Sequence, residues 1–371
     1  MHLLRAIQLR PLSMFFMRLL LVLIGCCLVL LTGCASVERE SRKAEAYANS
    51  LLPEPFEILD AKPTYALGDP MRLVVYLRNR RDPALQWTMY WQTDKPNGGN
   101  TQESVLRQYQ QAQAYLRASQ KLYDILRASP DLPSVQVRVL IQGTSSDRTG
   151  SPMIFVYGDL TNDNRMSIMS ALYHGIVRWR KEFVSDAAST TLLGTPTADN
   201  FSLDIYFFPP PGPTDGSRFI NLGIRPPNSP EFKSARYSIN TPWDGIGAQK
   251  GIRTPDDLSQ RLYPYPWFPD QKLWEADVVA AATSYVNQHP ELGLAADKRP
   301  MASPKLLPDD LDVMRYVLLL CPSSGCLGQV GKKILLFNYK ISERHAFDFK
   351  VIDFEEYKAC LRSQSFSHCI E

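Results

Sequence analysis

Four cysteines near the carboxyl end of the chain have the number and residue type that suggest covalent chemistry. They are Cys321, Cys326, Cys360 and Cys369. An even number of cysteines in an exported chain favours disulfides, and four cysteines allow three connectivities. Pairing Cys321 with Cys326 and Cys360 with Cys369 would close two short local loops. Zinc is the alternative, but C-x4-C and C-x8-C are not the spacings of tight zinc knuckles. We therefore predict two disulfides and no metal site.

Catalytic motifs are not evident in this sequence. The five histidines do not form H-x-x-x-H or H-E-x-x-H, which zinc proteases use. There is no G-x-S-x-G nucleophile elbow and no C-x-x-C redox pair. The nearest serine candidate lies in Gly143–Asp147, which is typical of a polar turn. We predict a non-catalytic protein without a cofactor. The alternative is a cell-envelope hydrolase, because a triad can be assembled from distant residues.

The amino-terminal region has the organisation of an export signal. Arg18 precedes an uncharged apolar run of 13 residues at 19–31. A membrane span needs about 20 such residues, so this run matches the hydrophobic region of a signal peptide better. The charged segment after Ala35 argues against a longer span. Translation could start at Met1, Met14 or Met17, because Met17, Arg18 and the apolar run already form a sufficient leader.

The leader ends in Leu31–Cys34, with the sequence Leu-Thr-Gly-Cys. This segment resembles the lipobox of bacterial lipoproteins, in which signal peptidase II cleaves before a lipid-carrying cysteine. The resemblance implies that Cys34 is lipidated, and several acyl chains anchor stably because each buried CH₂ contributes about 0.8 kcal/mol. It also implies sorting, since aspartate after the cysteine retains a lipoprotein in the inner membrane. With Ala35 there, the expected location is the periplasmic face of a Gram-negative outer membrane.

Aromatic residues alternate with prolines in the segment Tyr263–Pro269. The four aromatic residues are Tyr263, Tyr265, Trp267 and Phe268. Rigid prolines present such side chains at low entropic cost, and aromatic residues are enriched at the centres of protein–protein contacts. We interpret this segment as a candidate partner-binding surface. The alternative is a loop whose rings pack on its own core.

The charge balance excludes one class of partner. The chain has 41 Lys and Arg against 38 Asp and Glu, and three of the arginines lie in the first 33 residues, which contain no acidic residue. The remaining chain has equal numbers of both signs. Without a net positive charge or a basic block, it has little to attract a polyphosphate backbone, so nucleic acid is not expected as a partner.

Hydrophobic periodicity predicts both helices and strands. Long amphipathic helices are expected at about 101–128, with Asn100 and Glu103 as a capping box, and at about 165–184, with Asn162–Asn164 as the cap. A third helix follows Asp270, and a short one is expected at Glu355–Leu361. Strands are expected at 56–59, 71–77, 85–91, 135–142, 153–157, 201–208, 313–320, 334–339 and 347–354.

This mixture predicts an α+β fold, with α/β as the alternative, built from mixed sheets and three main amphipathic helices. We expect residues 1–33 to be the signal peptide and 34–55 a polar tether. A first lobe at 56–208 and a second lobe at 231–371 would be joined by the proline-rich connection 209–230.

The predicted function combines these observations. A lipid anchor, a mixed body and an aromatic-proline loop indicate a membrane-anchored protein-interaction module. The helix, Ser129–Pro133 and strand layout, together with the aromatic-proline run, resembles type VI secretion-associated accessory proteins. That resemblance implies an immunity or adaptor lipoprotein that binds a secreted effector and holds or occludes it sterically.

Overall fold

A computed structural model describes residues 36–64, 72–130, 132, 136–142, 151–186, 190, 201–214, 217–221, 230–244, 251–265, 271–300, 304–307, 310–322 and 333–363. The predicted α+β class is confirmed, because helices accompany sheets that are almost entirely antiparallel. The chain divides into two compact units, Met1–Gln113 and Ala114–Glu371, with the boundary inside helix α2 (Gln102–Arg127). The proline-rich segment 209–230, where the sequence predicts the division, lies within the second unit.

The first unit contains a three-stranded antiparallel sheet. Helix α1 covers residues 36–51. The strands follow in the order β1-β2-β3 and are β1 (Phe56–Thr64), β2 (Arg72–Asn79) and β3 (Gln86–Gln92). A 3-10 turn at Pro96–Gly99 then leads into α2. Gly98 has φ 63°, and a Cβ there would lie 2.2 Å from the Trp91 ring, so only glycine fits this turn.

Alternation along the strands places one face of this sheet in the core. Three residues of β2 are fully buried: Leu73, Val75 and Leu77. On β3, at most 5% of the surface of each inward-facing side chain is exposed, and these residues are Trp87, Met89 and Trp91. Helix α1 contributes to the same core through Ala44 and Ala48, both fully buried. The Trp91 indole also donates to Glu40 Oε2 at 3.3 Å. Residues 36–51, expected to be part of a tether, therefore form a helix with a buried face.

The second unit begins with a five-stranded mixed sheet in the order β4-β5-β6-β7-β8. Its strands and helices are β4 (Gln136–Gln142), β5 (Ser151–Tyr157), α3 (Asn162–Ser185), β6 (Ser202–Phe208), β7 (Tyr237–Pro242), α4 (Pro255–Ser259) and β8 (Tyr263–Pro264). Among the strands of this sheet, β5 and β6 are the parallel pair, and α3 lies between them in the chain. Neighbouring parallel strands require a crossover connection instead of a tight hairpin, and α3 lies within the connection between β5 and β6.

The two faces of this sheet have different cores. One face carries aliphatic residues such as Val139, Ile154 and Ile205, which cluster with buried residues of α2 and α3. The other face carries an aromatic cluster, whose buried members are Met153, Phe155, Tyr206, Phe208, Ile220, Phe232, Ala235 and Tyr265. Period-two alternation along β5 and β6 separates the two sets.

A five-stranded antiparallel sheet completes the second unit. The order is β10-β11-β12-β13, with β9 also paired to β11. The elements are α5 (Gln271–Gln288), β9 (Leu294–Pro300), β10 (Lys305–Leu307), β11 (Asp310–Pro322), β12 (Lys333–Lys340), β13 (His345–Asp353) and α6 (Phe354–Ser363). Trp274 and Val278 of α5 belong to the main core, while Tyr357 of α6 is buried against Val317 and Leu336.

A charged pair holds the β12–β13 turn to α5. Arg344 donates from Nε to Asp277 Oδ2 at 2.8 Å and from Nη2 to Asp277 Oδ1 at 3.0 Å. The Tyr339 hydroxyl donates to Asp277 Oδ2 at 2.8 Å. The Arg344 hydrogen bonds, together with the one from Tyr339, lower the pKa of Asp277. Burial and the neighbouring carboxylate raise the pKa of Tyr339 to about 12.

The proline-rich segment after β6 stays within the second unit. Phe219 forms an isolated parallel bridge with Val139, and its carbonyl accepts from Arg138 Nη2 at 2.6 Å. Ile220 is fully buried in the aromatic cluster. In its described part, this segment therefore lies along β4, because its backbone groups find partners there.

Helix caps lie one residue away from the predicted ones. Thr101 and Ser104 exchange backbone-to-side-chain hydrogen bonds at the start of α2, where Asn100 and Glu103 had been expected. Asn100 instead donates to the Tyr90 carbonyl at 2.7 Å. Thr161 caps α3 in a capping box with Asn164. In the part of the chain that is described, no helix has both the length and the apolarity required to span a bilayer.

Candidate interaction surface on helices α2 and α3

The carboxyl-terminal half of α2 packs antiparallel to α3 within the second unit. The fully buried Trp179 indole donates to the Ala118 carbonyl at 2.9 Å. Gly175 lies so near Leu126 that a Cβ on the glycine would be 2.6 Å from Leu126 Cδ2. The small residue therefore allows the two helices to approach closely. The apolar residues at helical spacing in α3, which are Met169, Leu172, Ile176, Trp179 and Phe183, are all buried.

An open groove of about 410 Å³ runs between the two helices on their outer side. Its lining residues are Arg117, Gln120, Lys121, Asp124, Ile125, Ala128, Arg178 and Glu182. Ile125 is partly buried against the main core, so it belongs to both the core and the groove. The aliphatic stems of the long charged side chains can cover further apolar surface while their charged ends stay in water.

Two hydrogen-bonded ion pairs lie in the groove, and the pair of Lys121 with Glu182 links α2 to α3. Lys121 Nζ lies 3.0 Å from Glu182 Oε2, and Arg178 Nε lies 2.9 Å from Glu182 Oε1. The Arg178 hydrogen bond, followed by that of Lys121, lowers the pKa of Glu182. Asp124 accepts from Gln120 Nε2 at 2.7 Å. The groove is lined by three cationic side chains and two carboxylates. Arg117 is the cation of the three that makes no ion pair with the described residues.

The outward face of α3 next to this groove carries exposed aliphatic residues. Val177 is 40% exposed and Val184 is 45% exposed. At 100° per residue, a separation of seven residues returns to within about 20°, so both valines lie on one line along the helix. Lys181 lies between them in sequence, is exposed, and makes no ion pair with described residues. Met166, 43% exposed, continues the same line near the start of α3.

These residues follow one another round the outer side of α3, from the two valines, which face away from α2, to the groove. Proceeding round α3 by the helical angle, Val177 and Val184 are followed by Lys181 and then by Arg178 and Glu182 at the groove. We call this the α2–α3 surface, and it consists of Arg117, Lys121, Asp124, Ile125, Val177, Arg178, Lys181, Glu182 and Val184. The sequence does not single out this surface, because the apolar residues at helical spacing already account for α3 as a core helix. The available signal was a second apolar pair, seven residues apart, on the opposite side of the helix.

The aromatic-proline segment, the surface predicted from sequence, is only partly described. Tyr265 is 4% exposed and stands edge-on to Tyr206, with ring centroids 5.4 Å apart. Its backbone NH donates to the Arg236 carbonyl at 2.8 Å. Tyr263 is half-buried in β8. Trp267 and Phe268 lie outside the described residues, so Tyr263 is the one described aromatic of this segment with substantial exposure.

The predicted cysteine sites also fall largely outside the described part of the chain. Cys34 precedes it, and Cys326 and Cys369 lie in undescribed segments. Cys360 is in α6, but its side chain is not described. Cys321 is buried near the end of β11. The two disulfides and their connectivity therefore remain predictions. Across the described ranges, no group of His, Cys, Asp and Glu side chains could hold a metal ion.

The described histidines have surroundings that do not resemble a catalytic pair. His174 is exposed and stands edge-on to Tyr173. His289 Nδ1 lies 2.8 Å from the Tyr285 carbonyl, and its ring stacks on Tyr285. His345 stacks on Phe347 at a centroid distance of 6.5 Å. Among described residues, none of the three is hydrogen-bonded to a hydroxyl, thiol or carboxylate.

Comparisons with known proteins give one distant structural likeness. No protein-family model matches the chain, and no curated protein sequence matches it. A crystal structure of a DUF5037 family protein from Ruminococcus gnavus ATCC 29149 aligns with 60% of this chain and 98% of that one, at 11% identity and a TM-score of 0.33. At that identity and TM-score, the likeness carries no argument about fold or function.

Proposed function

We propose that this chain is a lipoprotein of the bacterial envelope that binds another protein through the α2–α3 surface and performs no catalysis of its own. The observation that carries the proposal is the exposure of Val177 and Val184 beside a charged groove. Contiguous exposed apolar patches mark sites of protein–protein contact, and the two valines lie on one line along the helix.

The shape of the groove favours a protein segment over a small molecule. Ligand sites usually enclose most of their ligand in a concave cavity. This groove is open along two helices, and its walls are joined by the ion pair of Lys121 with Glu182. Such a surface can be covered by a helix or an extended segment, while a small molecule would remain largely in solvent.

The strongest test of binding replaces Val177 with a photo-crosslinking amino acid in cells that export the chain to their envelope. The expected result is one discrete heavier species from position 177. The same side chain at Glu356, an exposed position on α6, is the matched control and is expected to give none. No crosslink at 177, or the same species from both positions, would contradict binding through this surface.

The membrane anchor is the second part of the proposal and rests on Leu31–Cys34. Replacing Cys34→Ser is expected to abolish fatty acylation and to leave an unprocessed or unanchored precursor whose mass lacks acyl groups. Cys27→Ser, in the same leader, removes a thiol without touching the proposed lipidation site and should leave processing unchanged. Equal detergent partitioning of the Cys34→Ser protein and the unmodified chain would contradict the proposed lipid anchor.

A secreted effector enzyme is the partner that the sequence resemblance to type VI secretion-associated lipoproteins supports. Binding would then act sterically, either by covering the effector or by holding it for delivery. Mass spectrometry of the species crosslinked at Val177 tests this directly, because an enzyme encoded beside the chain is the expected identity. A structural envelope protein in its place would argue for a scaffolding role.

A further inference from the structure

We infer that the outward face of α1 lies on the anionic phospholipid headgroups of the leaflet that carries the lipid anchor. This inference rests on the proposed function, because it takes Cys34 to be the acylated residue and adds which side of the first unit meets the membrane. It is drawn from the place where α1 begins, the exposure of its cations and the directions in which its carboxylates point.

The cations of α1 share one side of the helix. At 100° per residue, Arg39, Arg42 and Lys43 fall within an arc of about 100°, and each side chain is more than half exposed. The fully buried Ala44 and Ala48 lie on the opposite side, in the core of the first unit. We call the side with the cations the outward face of α1. Its members are all exposed and are Arg39, Arg42, Lys43, Ala46, Asn49 and Ser50.

One carboxylate of α1 is buried beneath two of these cations. Glu40 lies about 110° round the helix from the centre of the outward face and is buried. Its Oε1 atom is 3.4 Å from Arg39 Nε and 2.8 Å from Lys43 Nζ, and its Oε2 atom accepts from the Trp91 indole. A single buried carboxylate therefore balances two cations whose charged ends remain in solvent.

The other two carboxylates of α1 lie on its flank. Glu38 and Glu45 are about 90–110° from the centre of the outward face, on the side away from Glu40. Glu38 pairs with Arg42 at 2.6 Å, and Glu45 pairs with Arg80 at 3.2 Å. Exposed pairs of this kind contribute little to stability, so Arg42 can exchange Glu38 for a phosphate. A flat surface laid on the outward face therefore meets cations before it meets carboxylates.

The start of α1 brings this face to the membrane. The helix begins at position 36, so Ala35 is the one residue between it and Cys34. At 1.5 Å per residue, the three cations lie within about 11 Å of the start of the helix. An acylated Cys34 would therefore hold them at a high effective concentration beside the phosphates of an anionic leaflet, which attracts Lys and Arg. Even a weak attraction then decides which side of the first unit faces the lipid.

The composition of the outward face favours headgroups over a protein partner. Centres of protein–protein contacts are rich in aromatic and other large apolar residues, and the members of this face include none. Ala46, Asn49 and Ser50 are small, so the longer cationic side chains project beyond them. Guanidinium groups such as those of Arg39 and Arg42 can bind phosphate through two parallel hydrogen bonds. The face therefore matches a flat layer of phosphates.

Fluorescence quenching by headgroups tests the inference. Ala46 is replaced by a fluorescent amino acid, and the acylated chain is added to vesicles that contain phosphatidylglycerol and a phospholipid with a nitroxide on its headgroup. Tyr90 is the matched control position, because it is exposed on the face of the sheet that points away from α1. The expected result is at least about twofold stronger quenching at 46 than at 90, which diminishes in neutral vesicles and at raised salt.

Charge variants assign the quenching to the cations. The test variant neutralises the three cations of the outward face together, with Arg39→Gln, Arg42→Gln and Lys43→Gln. It is expected to reduce quenching at 46 to the level at 90. The control variant neutralises three cations on the opposite side of the same unit, with Lys62→Gln, Arg72→Gln and Arg78→Gln. It should leave quenching at 46 unchanged, and the melting temperature verifies that both variants are folded.

The outcomes separate the inference from the proposed anchor. Equal quenching at the two positions, or quenching at 46 that survives the loss of the three cations, would overturn the headgroup contact. Acyl mass and flotation with neutral vesicles would still support the anchor in both cases. Flotation with anionic vesicles alone, without acyl mass and lost in the test variant, would overturn the anchor and support the contact. A photo-crosslink from position 46 to an envelope protein in cells would assign the face to that protein and overturn the inference.

Discussion

The aromatic-proline segment and the outward face of α3 reverse the roles that their sequences suggest. The first is rich in aromatic residues, yet Tyr265 is buried at 4% exposure among Tyr206 and Phe232. The second is a helix with an ordinary buried stripe, yet it leaves Val177 and Val184 about two-fifths exposed or more. Residue type alone therefore does not indicate a binding surface. The position of each residue on its element decides which side chains remain available to a partner.

The largest expected effect comes from removing the buried ring. Tyr265→Ala should lower the free energy of unfolding by about 3–5 kcal/mol, because it opens a cavity in the aromatic cluster. Tyr263→Ala, two residues earlier and half-buried, should cost about 1 kcal/mol. Urea unfolding followed by tryptophan fluorescence measures both. Similar values for the two tyrosines would break the contrast between a core position and a surface position.

Crowding the contact between α2 and α3 is expected to have the next largest effect. Gly175→Val places methyl groups where Leu126 Cδ2 already lies, and overpacking of this kind costs about 1–3 kcal/mol. Leu126→Ala should cost less in the Gly175→Val background than in the unmodified chain, because it makes room for the valine. Additive losses in a double-mutant cycle would contradict a direct contact.

Acid pH is expected to distinguish an ion pair of the fold from one on the proposed binding surface. Arg344 and Tyr339 lower the pKa of Asp277, so its contribution to stability is present above the unfolded pKa of about 3.9 and is lost as the pH falls through the lower folded value. Asp277→Asn should therefore reduce the melting temperature at pH 6 and converge with the unmodified chain at acid pH.

Glu182→Gln is the matched neutralisation on the α2–α3 surface. The pKa of Glu182 is lowered in the same direction, but its partners Lys121 and Arg178 are exposed to solvent, which screens the pair. Its melting temperature at pH 6 should stay closer to that of the unmodified chain. A larger loss for Glu182→Gln than for Asp277→Asn would mean that the groove is held together by this carboxylate.

The smallest effect on stability is expected on the exposed valines. Val177→Ser and Val184→Ser should each change the free energy of unfolding by no more than about 0.5 kcal/mol, as is usual for surface positions. Ile176→Ser, next to Val177 but fully buried, serves as the contrast and should be severely destabilising. Losses above about 2 kcal/mol for the valines would indicate that they are already covered within the folded chain.

Much of the fold was predictable because the periodicity of the sequence is strong. Dense apolar runs in residues 153–157 and 201–208 predicted β5 and β6, and apolar residues at helical spacing from Met169 to Phe183 predicted α3. Capping was less predictable, because Thr101 and Thr161 compete with adjacent Asn residues that have similar capping ability. Hydrogen bonding decided the outcome, since the Asn100 side chain is taken by the Tyr90 carbonyl.

The unit boundary and the candidate surface could not be read from local sequence. Prolines at 209–213 suggested a connection, but long-range hydrogen bonds to β4 hold the following residues within one unit. The groove depends on how α2 packs against α3, and their close approach involves Gly175 and Leu126, which are far apart in sequence. Tertiary contacts of this kind override local patterns.

The position of α1 limits how far the first unit can stand from its proposed anchor. Ala35 is the one residue between Cys34 and position 36, where α1 is already helical. Even a fully stretched backbone covers only about 7 Å over those two steps. If Cys34 carries lipid, the linker between the acylated residue and α1 is a single residue long. The first unit is then held close to the lipid headgroups. A protein that binds it must do so at the bilayer surface, because the linker is too short for the unit to extend away from the membrane.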